Sequence, residues 1–123
     1  MLEAYSVNAQ VAADSPVRFN SVSMVKGKTA VLSGDSTIQL NKCGVYMVSF
    51  DGSTTTATTV QLYKDGVAQA QAQTTGETLG FSTLVQVSEN NTCCACTSPV
   101  NIQLISDTAV TLSNCNVVVT KLV

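Results

Sequence analysis

Ten short segments rich in valine, isoleucine, leucine and threonine follow one another along the chain, and turn residues separate them. β-Branched residues favour extended strands, whereas Gly, Asp, Asn, Ser and Pro favour the turns between strands. Apolar residues never recur at helical spacing for three turns, so almost no helix is expected. The pattern is typical of a β-sandwich or jelly roll. The predicted strands cover residues 17–24, 29–33, 36–40, 44–50, 58–64, 67–74, 78–88, 100–106, 109–113 and 116–123.

The clearest local signal is a β-hairpin in the stretch VQLYKDGVAQA. Asp65 and Gly66 both tolerate the positive φ angles that a two-residue hairpin turn requires. In the strand before this turn, Val60 and Leu62 alternate with polar Gln61. Such alternation predicts a sheet with the core on one side and solvent on the other.

Three other segments lack this clean alternation. Apolar residues lie on both faces of two segments, GVYMVSF at 44–50 and NVVVTKLV at 116–123. The same tendency is weaker in LGFSTLVQV at 79–87. If these strands lie side by side, their sheet has the core on one face and a second apolar surface on the other. Because no helix is predicted that would cover this surface, the expected cover is another copy of the chain. A closed ring of identical subunits follows from such a patch.

Length and charge narrow the possible partners. The chain has 123 residues, enough for one domain with one core. Its formal net charge is −2, and its six Lys and Arg residues are spread singly, so no basic patch is available for nucleic acid. No apolar run approaches the roughly 20 residues that cross a bilayer, so we expect no membrane insertion. Glu3 stands where a secretory signal carries positive charge, which favours synthesis in the cytoplasm without a signal peptide.

The order of the segments carries a family resemblance. From Phe19 to Val123 the chain presents FNSVSM, STIQLNKCGVYMVSF, VQLYKDGVA, FSTLVQV and NVVVTKLV in turn. This order resembles the trimeric jelly-roll superfamily of tumour necrosis factor and the globular heads of complement and collagen-like proteins, including bacterial and phage versions. The resemblance implies an all-β, two-sheet antiparallel jelly-roll sandwich that assembles as a homotrimer. Residues 1–123 would form a single domain, in which 1–16 are either an N-terminal arm or an extra edge strand.

The resemblance also assigns a face to each side chain of the inner sheet, which lines the threefold axis in that superfamily. Tyr46, Val48 and Phe50 would enter the core. Lys121 would also lie on the core side, so its ammonium group would have to turn outward near the strand end. A slip of one residue in register would exchange the two faces. The residues expected at the trimer interface are Val45, Met47, Leu84, Val118, Thr120 and Leu122.

Groups for catalysis are scarce. The chain contains no His, which removes the commonest general base and the commonest catalytic metal ligand. Its acidic residues are scattered singly, and turn formation and solubility account for most of them. The Gly-containing stretches at 26–28 and 32–36 lack the helix and the Lys that a phosphate-binding loop needs. We therefore predict no enzyme activity, no cofactor and no metal site. The acidic residues beside turns are Asp14, Asp35, Asp51, Asp65 and Asp107.

The five cysteines are unevenly placed. Cys93, Cys94 and Cys96 fall within four residues, whereas Cys43 and Cys115 stand singly at the starts of predicted strands. The CCxC pattern lacks the paired knuckles or His that zinc sites use. Disulfides formed outside a reducing cytoplasm are one interpretation, and five reduced, partly buried cysteines are the other. The resemblance brings Cys43 close to Cys93 or Cys94, and the odd count leaves at least one thiol free or bridged to another subunit.

These features suggest two classes of function. The first is a non-enzymatic structural or attachment module, such as a trimeric virion decoration or fibre-head protein, or a bacterial surface protein. Its partners would be its own copies and a capsid or a cell-surface glycan, and it would be located on a virion or an extracellular surface. The Thr-rich loop GSTTTATT at 52–59 offers hydroxyls to sugars, although a plain solvated turn is the simpler interpretation. The alternative is a soluble lectin-like or signalling ligand that clusters receptors through its threefold valency.

Overall fold

The computed structural model describes residues 1–88 and 99–123. The sequence predicts almost no helix, and within these ranges every regular element is a β-strand. The described part of the chain accordingly offers no helix that is long and apolar enough to span a membrane. The strands are β1 (Leu2–Val11), β2 (Ser15–Pro16), β3 (Ser21–Val25), β4 (Ala30–Ser33), β5 (Thr37–Leu40), β6 (Gly44–Lys64), β7 (Val67–Val87), β8 (Val100–Ser106) and β9 (Val110–Lys121).

Three strands are longer than the sequence predicts. β6 joins the fourth and fifth predicted segments, β7 joins the sixth and seventh, and β9 joins the last two. The Thr-rich stretch 52–59, interpreted above as a loop, is therefore a continuous part of β6. The interpretation as a loop was wrong because Thr, although polar, is β-branched and suits an extended backbone.

Hydrogen bonds keep this polar stretch inside the sheet. Thr54 and Thr58 are both buried. The Thr54 hydroxyl donates to the carbonyl of Thr111 at 3.2 Å, and the hydroxyls of Thr58 and Ser106 share a hydrogen bond of 2.8 Å. Since both buried hydroxyls have partners, burial costs the strand little.

The long strands β6 and β7 pass from one sheet to the other. β6 pairs with β9 as far as Thr54 and with β8 from Val60 onward. β7 pairs with both halves of β6, with a shift of register between Ser53 and Thr58. The front sheet thus has the order β3-β1-β9-β6-β7, and the back sheet has the order β7-β6-β8-β5-β4, with β2 also paired to β8. All of these pairings are antiparallel.

Alternate side chains of both sheets fill the space between them. On β6, Tyr46 and Val48 are fully buried and Phe50 is nearly so, as the sequence predicts. The Phe50 ring also contacts that of Phe81 with centroids 5.8 Å apart. Burial of each large apolar side chain contributes about 1.5–3 kcal/mol relative to exposure. The other large, fully buried side chains include Leu2, Phe19, Ile38, Leu40, Leu62, Ile102, Leu104 and Leu112.

The predicted hairpin is confirmed. Asp65 and Gly66 have φ angles of 50° and 82°, and Lys64 pairs with Val67 across the turn. The turn is also tied to the neighbouring strand, because the Asp65 carboxylate accepts a hydrogen bond of 2.8 Å from the backbone N–H of Asn101.

The N-terminal segment differs from expectation. Residues 1–16 contribute β1, which lies between β3 and β9 inside the front sheet and is neither an arm nor an edge strand. The edge strand on this side of the front sheet is β3, which covers only the second half of the predicted segment 17–24. Before it, Phe19 enters the core, and its backbone N–H donates to the carbonyl of Asp35 at 2.6 Å.

Candidate self-association face

The outer side of β6 in the front sheet carries apolar side chains that the core does not use. Tyr46 and Val48 point inward, so Val45 and Met47 project from the opposite side of the strand. Val45 is half-buried, and Met47 is 41% exposed. The unbroken apolar run of β6 is therefore explained by one buried face and one exposed face.

The strand register aligns the neighbours of Met47 into a row. Met47 lies directly opposite Leu84 of β7 on one side and Thr120 of β9 on the other. The next row places Ser49 between Ser82 and Val118, and the hydroxyls of Ser49 and Ser82 share a hydrogen bond of 2.9 Å.

Beyond the end of β9, the chain stays beside β6. The Leu122 backbone N–H donates to the Val45 carbonyl at 2.7 Å. All six residues expected at the trimer interface thus lie together on the exposed side of the front sheet, which we call the front face: Val45, Met47, Leu84, Val118, Thr120 and Leu122.

The front face is unusually apolar for a surface. Leu84 is 58% exposed and Leu122 is 50% exposed. Across β9, β6 and β7, the rows that contain Met47 and Ser49 carry no charged side chain. A contiguous apolar patch without charge is the usual mark of a surface that associates with another macromolecule.

Two further exposed apolar residues, missed in the sequence, lie on the same side of the sheet beyond the front face, and the row of Tyr5 also holds the exposed Asp51. Tyr5 and Val7 of β1 are exposed and pair with Asn116 and Asn114 of β9. The sequence carried no clear signal for them, because the polar Ser6 is buried between the exposed Tyr5 and Val7, the reverse of what an alternation of polarity predicts.

Polar contacts fix the β1 edge of the front face. Glu3 lies between Val118 of β9 and Met24 of β3. Its carboxylate accepts a hydrogen bond of 2.6 Å from the Ser23 hydroxyl and a longer one of 3.5 Å from the Asn116 side-chain amide. This arrangement gives the apolar patch a polar margin, as in many protein interfaces.

Solved structures share this architecture. The globular domain of zebrafish complement 1qA matches with a TM-score of 0.75 at 10% identity, over 99% of this chain and 96% of that one. Murine APRIL matches with a TM-score of 0.66 at 12% identity, over 98% of both chains. The chain therefore has the same jelly-roll fold as these two proteins. The expected fold class is thereby confirmed.

A viral protein shares the same jelly roll. The PRD1 vertex protein P5 matches with a TM-score of 0.63 at 15% identity, over 99% of this chain and 72% of that one. No protein-family model matches the sequence. No curated protein matches it either.

Strand β9 ends at Lys121, whose ammonium group lies at the molecular surface. Lys121 pairs with the core residue Tyr46 and is only half-buried. Its Nζ atom donates to the backbone carbonyl of Val123 at 2.7 Å, in an exposed position. The aliphatic stem thus lies on the core side of the strand while the ammonium group reaches outward.

The cysteines of this jelly roll are only partly described. Cys115 is a buried free thiol, so it takes no part in a disulfide within the chain. Cys43 packs against the core. Cys93, Cys94 and Cys96 lie outside the described residues, and the pairing of Cys43 with Cys93 or Cys94 stays a prediction.

Two of the acidic residues beside turns contact polar or charged neighbours. Asp107 Oδ1 accepts hydrogen bonds from the Thr59 backbone N–H and from the hydroxyls of Thr108 and Thr58, and these donors lower the pKa of the carboxyl. Asp35 lies 4.0 Å from the exposed Arg18. Within residues 1–88 and 99–123, no three side chains of the His, Cys, Asp or Glu type are grouped in a way that would hold a metal ion.

Proposed function

We propose that this protein is a non-enzymatic structural and attachment module that works as a homotrimer. The observation that carries the proposal is the front face, an uncharged apolar patch on an otherwise complete jelly roll. In the superfamily that the sequence resembles, the corresponding sheet lines a threefold axis, and this supports the same arrangement here. Each copy would then bury Met47, Leu84 and Leu122 against its neighbours.

The chemistry of the front face suits contact between identical copies. Small polar residues such as Ser49 and Thr120 lie among the apolar ones, so close approach leaves few long polar side chains to desolvate. Buried apolar area stabilises association by roughly 25 cal/mol per Å² before the cost of lost freedom is subtracted. In a closed ring, every copy has its patch covered by a neighbouring copy. A ring therefore leaves no apolar patch exposed to water.

The supported location is an exposed one. The fold occurs in a phage vertex protein and in a complement domain, which supports a place on a virion or an extracellular surface. A decoration or fibre-head protein of a virion, or a bacterial surface protein, fits these neighbours. The partner on the outer side would be a capsid or a cell-surface glycan.

A second candidate is a soluble lectin-like or signalling ligand. The similarity of the fold to murine APRIL favours it. Three copies around one axis would present three equivalent outer surfaces, so receptors or glycans could be clustered by valency alone.

Light scattering after size-exclusion chromatography tests the assembly. We expect a single species of three times the 12.8 kDa of one chain at micromolar concentration. A well-dispersed monomer under these conditions would remove the basis of the proposal. Mass spectrometry of purified virions and of cell-surface fractions then separates the two candidates, because a soluble ligand is absent from washed particles.

A further inference from the structure

The exposed surface of the back sheet, which we call the back face, holds a polar hollow on the other side of the molecule from the front face. Its volume is about 290 Å³. The residues that line it bring carboxylates, amides, a hydroxyl and one aromatic ring together: Asp14, Thr59, Gln61, Tyr63, Gln73, Ile105 and Asp107.

Strand register builds the floor of this hollow. Gln61 of β6 lies opposite Gln73 of β7 on one side and Ile105 of β8 on the other. The Gln61 amide donates to the carbonyl of Gln69 at 3.0 Å, and the Gln73 amide donates to that of Ala70 at 3.2 Å. Each amide nitrogen thus donates one of its two N–H groups, whereas the side-chain oxygens accept no hydrogen bond from the described residues.

The two carboxylates add to the surplus of acceptors. Asp107 uses Oδ1 for its three donors, and no described residue donates to Oδ2. Asp14 is held by its backbone, with φ of 57° and its N–H donating to the Ser106 carbonyl at 2.8 Å. Its carboxylate has no partner among the described residues. No Lys or Arg lines the hollow, so its charge disfavours anions.

A second hollow adjoins the first. Tyr63 pairs with Gln103 of β8, and Gln103 lines a hollow of about 360 Å³ together with Asp65 and Asn101. The Gln103 amide donates to the Thr37 hydroxyl at 3.0 Å. Again neither Lys nor Arg takes part in the lining. The two hollows together reach the range of about 300–1,000 Å³ that small-ligand sites occupy.

We propose that the back face binds a neutral oligosaccharide across these two hollows. A sugar ring offers many hydroxyl donors and an apolar face of C–H groups. The hydroxyls fit the acceptors of Asp14, Asp107 and the glutamines, and the C–H face fits the ring of Tyr63. The inference rests on the attachment role proposed above and deepens it, because it assigns the glycan partner to the back face and specifies a neutral one.

A larger hollow elsewhere on the described part of the chain suits a sugar less well. Its volume is about 730 Å³, and Thr55, Thr56 and Arg18 contribute to its lining. No aromatic ring lines it, and Val11, Pro16 and Val110 make much of its wall apolar. It lacks the stacking surface and the converging acceptors of the back face.

Titration by NMR tests the proposal with defined probes. The probes are neutral hexasaccharides built from glucose, galactose, mannose or N-acetylglucosamine, together with hexaglucosamine, an oligouronate and oligolysine. We expect at least one neutral hexasaccharide to shift the backbone signals around Tyr63 and Gln61. The absence of any such shift at millimolar concentration overturns the proposal, as does binding of only the charged probes.

Three variants sharpen the test. Tyr63→Ala should weaken binding at least tenfold by removing the stacking surface. Asp14→Asn should also weaken it, and its backbone is preserved because Asn tolerates a positive φ angle. The control is Tyr5→Ala, which removes an exposed tyrosine from the front sheet and should leave binding unchanged. Equal affinity of Tyr63→Ala and the native chain would contradict the proposed site.

Binding and assembly are separate readouts. A soluble hexasaccharide occupies one chain at a time, so its affinity does not depend on valency. The variant Met47→Asp, which alters the front face, should bind it with native affinity. If the native chain is a monomer that binds the sugar, the homotrimer is contradicted and the back-face site is not. If the native chain is a trimer that binds no neutral sugar, the back-face site is contradicted and the homotrimer is not.

Discussion

At the scale of single residues, Cys115 shows how the core protects a reactive group. Its side chain lies on the buried side of β9, and burial raises the pKa of the thiol to about 11, with the charge of Asp51 adding to the rise. The reactive thiolate is therefore rare at neutral pH. We expect iodoacetamide to leave Cys115 unmodified in the folded protein and to label it in urea, as mass spectrometry of peptides would show. Rapid labelling without denaturant would contradict the buried placement.

The same shift makes stability sensitive to alkaline pH. The Cys115 thiol has a pKa of about 9 in the unfolded chain and about 11 in the folded protein. Its contribution to stability is therefore complete below pH 9 and is lost as the pH rises toward about 11. Burial also raises the pKa of Tyr46, which acts in the same direction. We expect the urea midpoint to fall between pH 8 and pH 10.5, and to fall less in Cys115→Ala. Identical falls in both proteins would exclude this contribution of the thiol.

Gly44 occupies a position that no other residue fills without strain. Its φ angle is 142°, and a Cβ atom there would meet the Val123 carbonyl and lie 2.9 Å from Lys121 Cε. Since backbone strain costs about 1–3 kcal/mol and overpacking adds a similar amount, we expect Gly44→Ala to lower the free energy of unfolding by at least about 2 kcal/mol. Chemical denaturation measures it.

Gly80→Ala is the matched control for this substitution. Its Cβ would make an ordinary contact of 3.7 Å with the Phe50 carbonyl, so its effect should stay within about 0.5 kcal/mol. Equal effects of the two substitutions would show that Lys121 and Val123 move away from a Cβ atom at position 44 at little energetic cost.

At the scale of strands, the local patterns were the most predictable part of the fold. The Asp65-Gly66 turn follows from local turn chemistry, whereas the facing of Tyr46 and Met47, in a run that is apolar on both sides, was implied by the family resemblance. The length of β6 does not follow from local patterns, because the strand buries the polar Thr54 and Thr58 only where another strand supplies their hydrogen-bond partners. Those partners are distant in sequence.

The candidate sites differ in the same way. The front face was predictable because the inner strands carry apolar residues on both sides and the family resemblance implies which side faces outward. The back face was not, since Asp14, Gln61, Tyr63 and Gln73 come together only through the pairing of separate strands. In the sequence, each of them is an ordinary polar residue of a strand or a turn.

The front face makes a prediction at the level of its strands. Met47 is exposed, so Met47→Asp should fold as a monomer, yet it places a charge in the centre of the patch that association would desolvate. We expect the variant to elute as a monomer with a native circular dichroism spectrum. Val67→Asp is the control, because Val67 is 63% exposed beside the hairpin turn, away from the front face. A trimeric Met47→Asp protein would show that association uses another surface.

At the scale of the whole molecule, the two faces divide the work between the two sheets. The front sheet would hold copies together, and the back sheet would then point away from the axis in every copy. Because β6 and β7 belong to both sheets, each face rests on the same two continuous strands. A trimer built in this way would present three sugar-binding surfaces outward, and avidity for a surface rich in one glycan would follow without any further contact.

Assembly and folding are linked in such a molecule, and thermal unfolding reports the link. If three folded chains dissociate as they unfold, mass action makes the melting temperature rise with protein concentration. For a domain of this size, a hundredfold increase should raise it by roughly 5–10 °C. Calorimetry or circular dichroism from micromolar to hundreds of micromolar measures this slope, and Met47→Asp should show none. A melting temperature that is independent of concentration in the native protein would mean that the chain unfolds as it exists in solution, alone, and that its apolar front face serves some other partner.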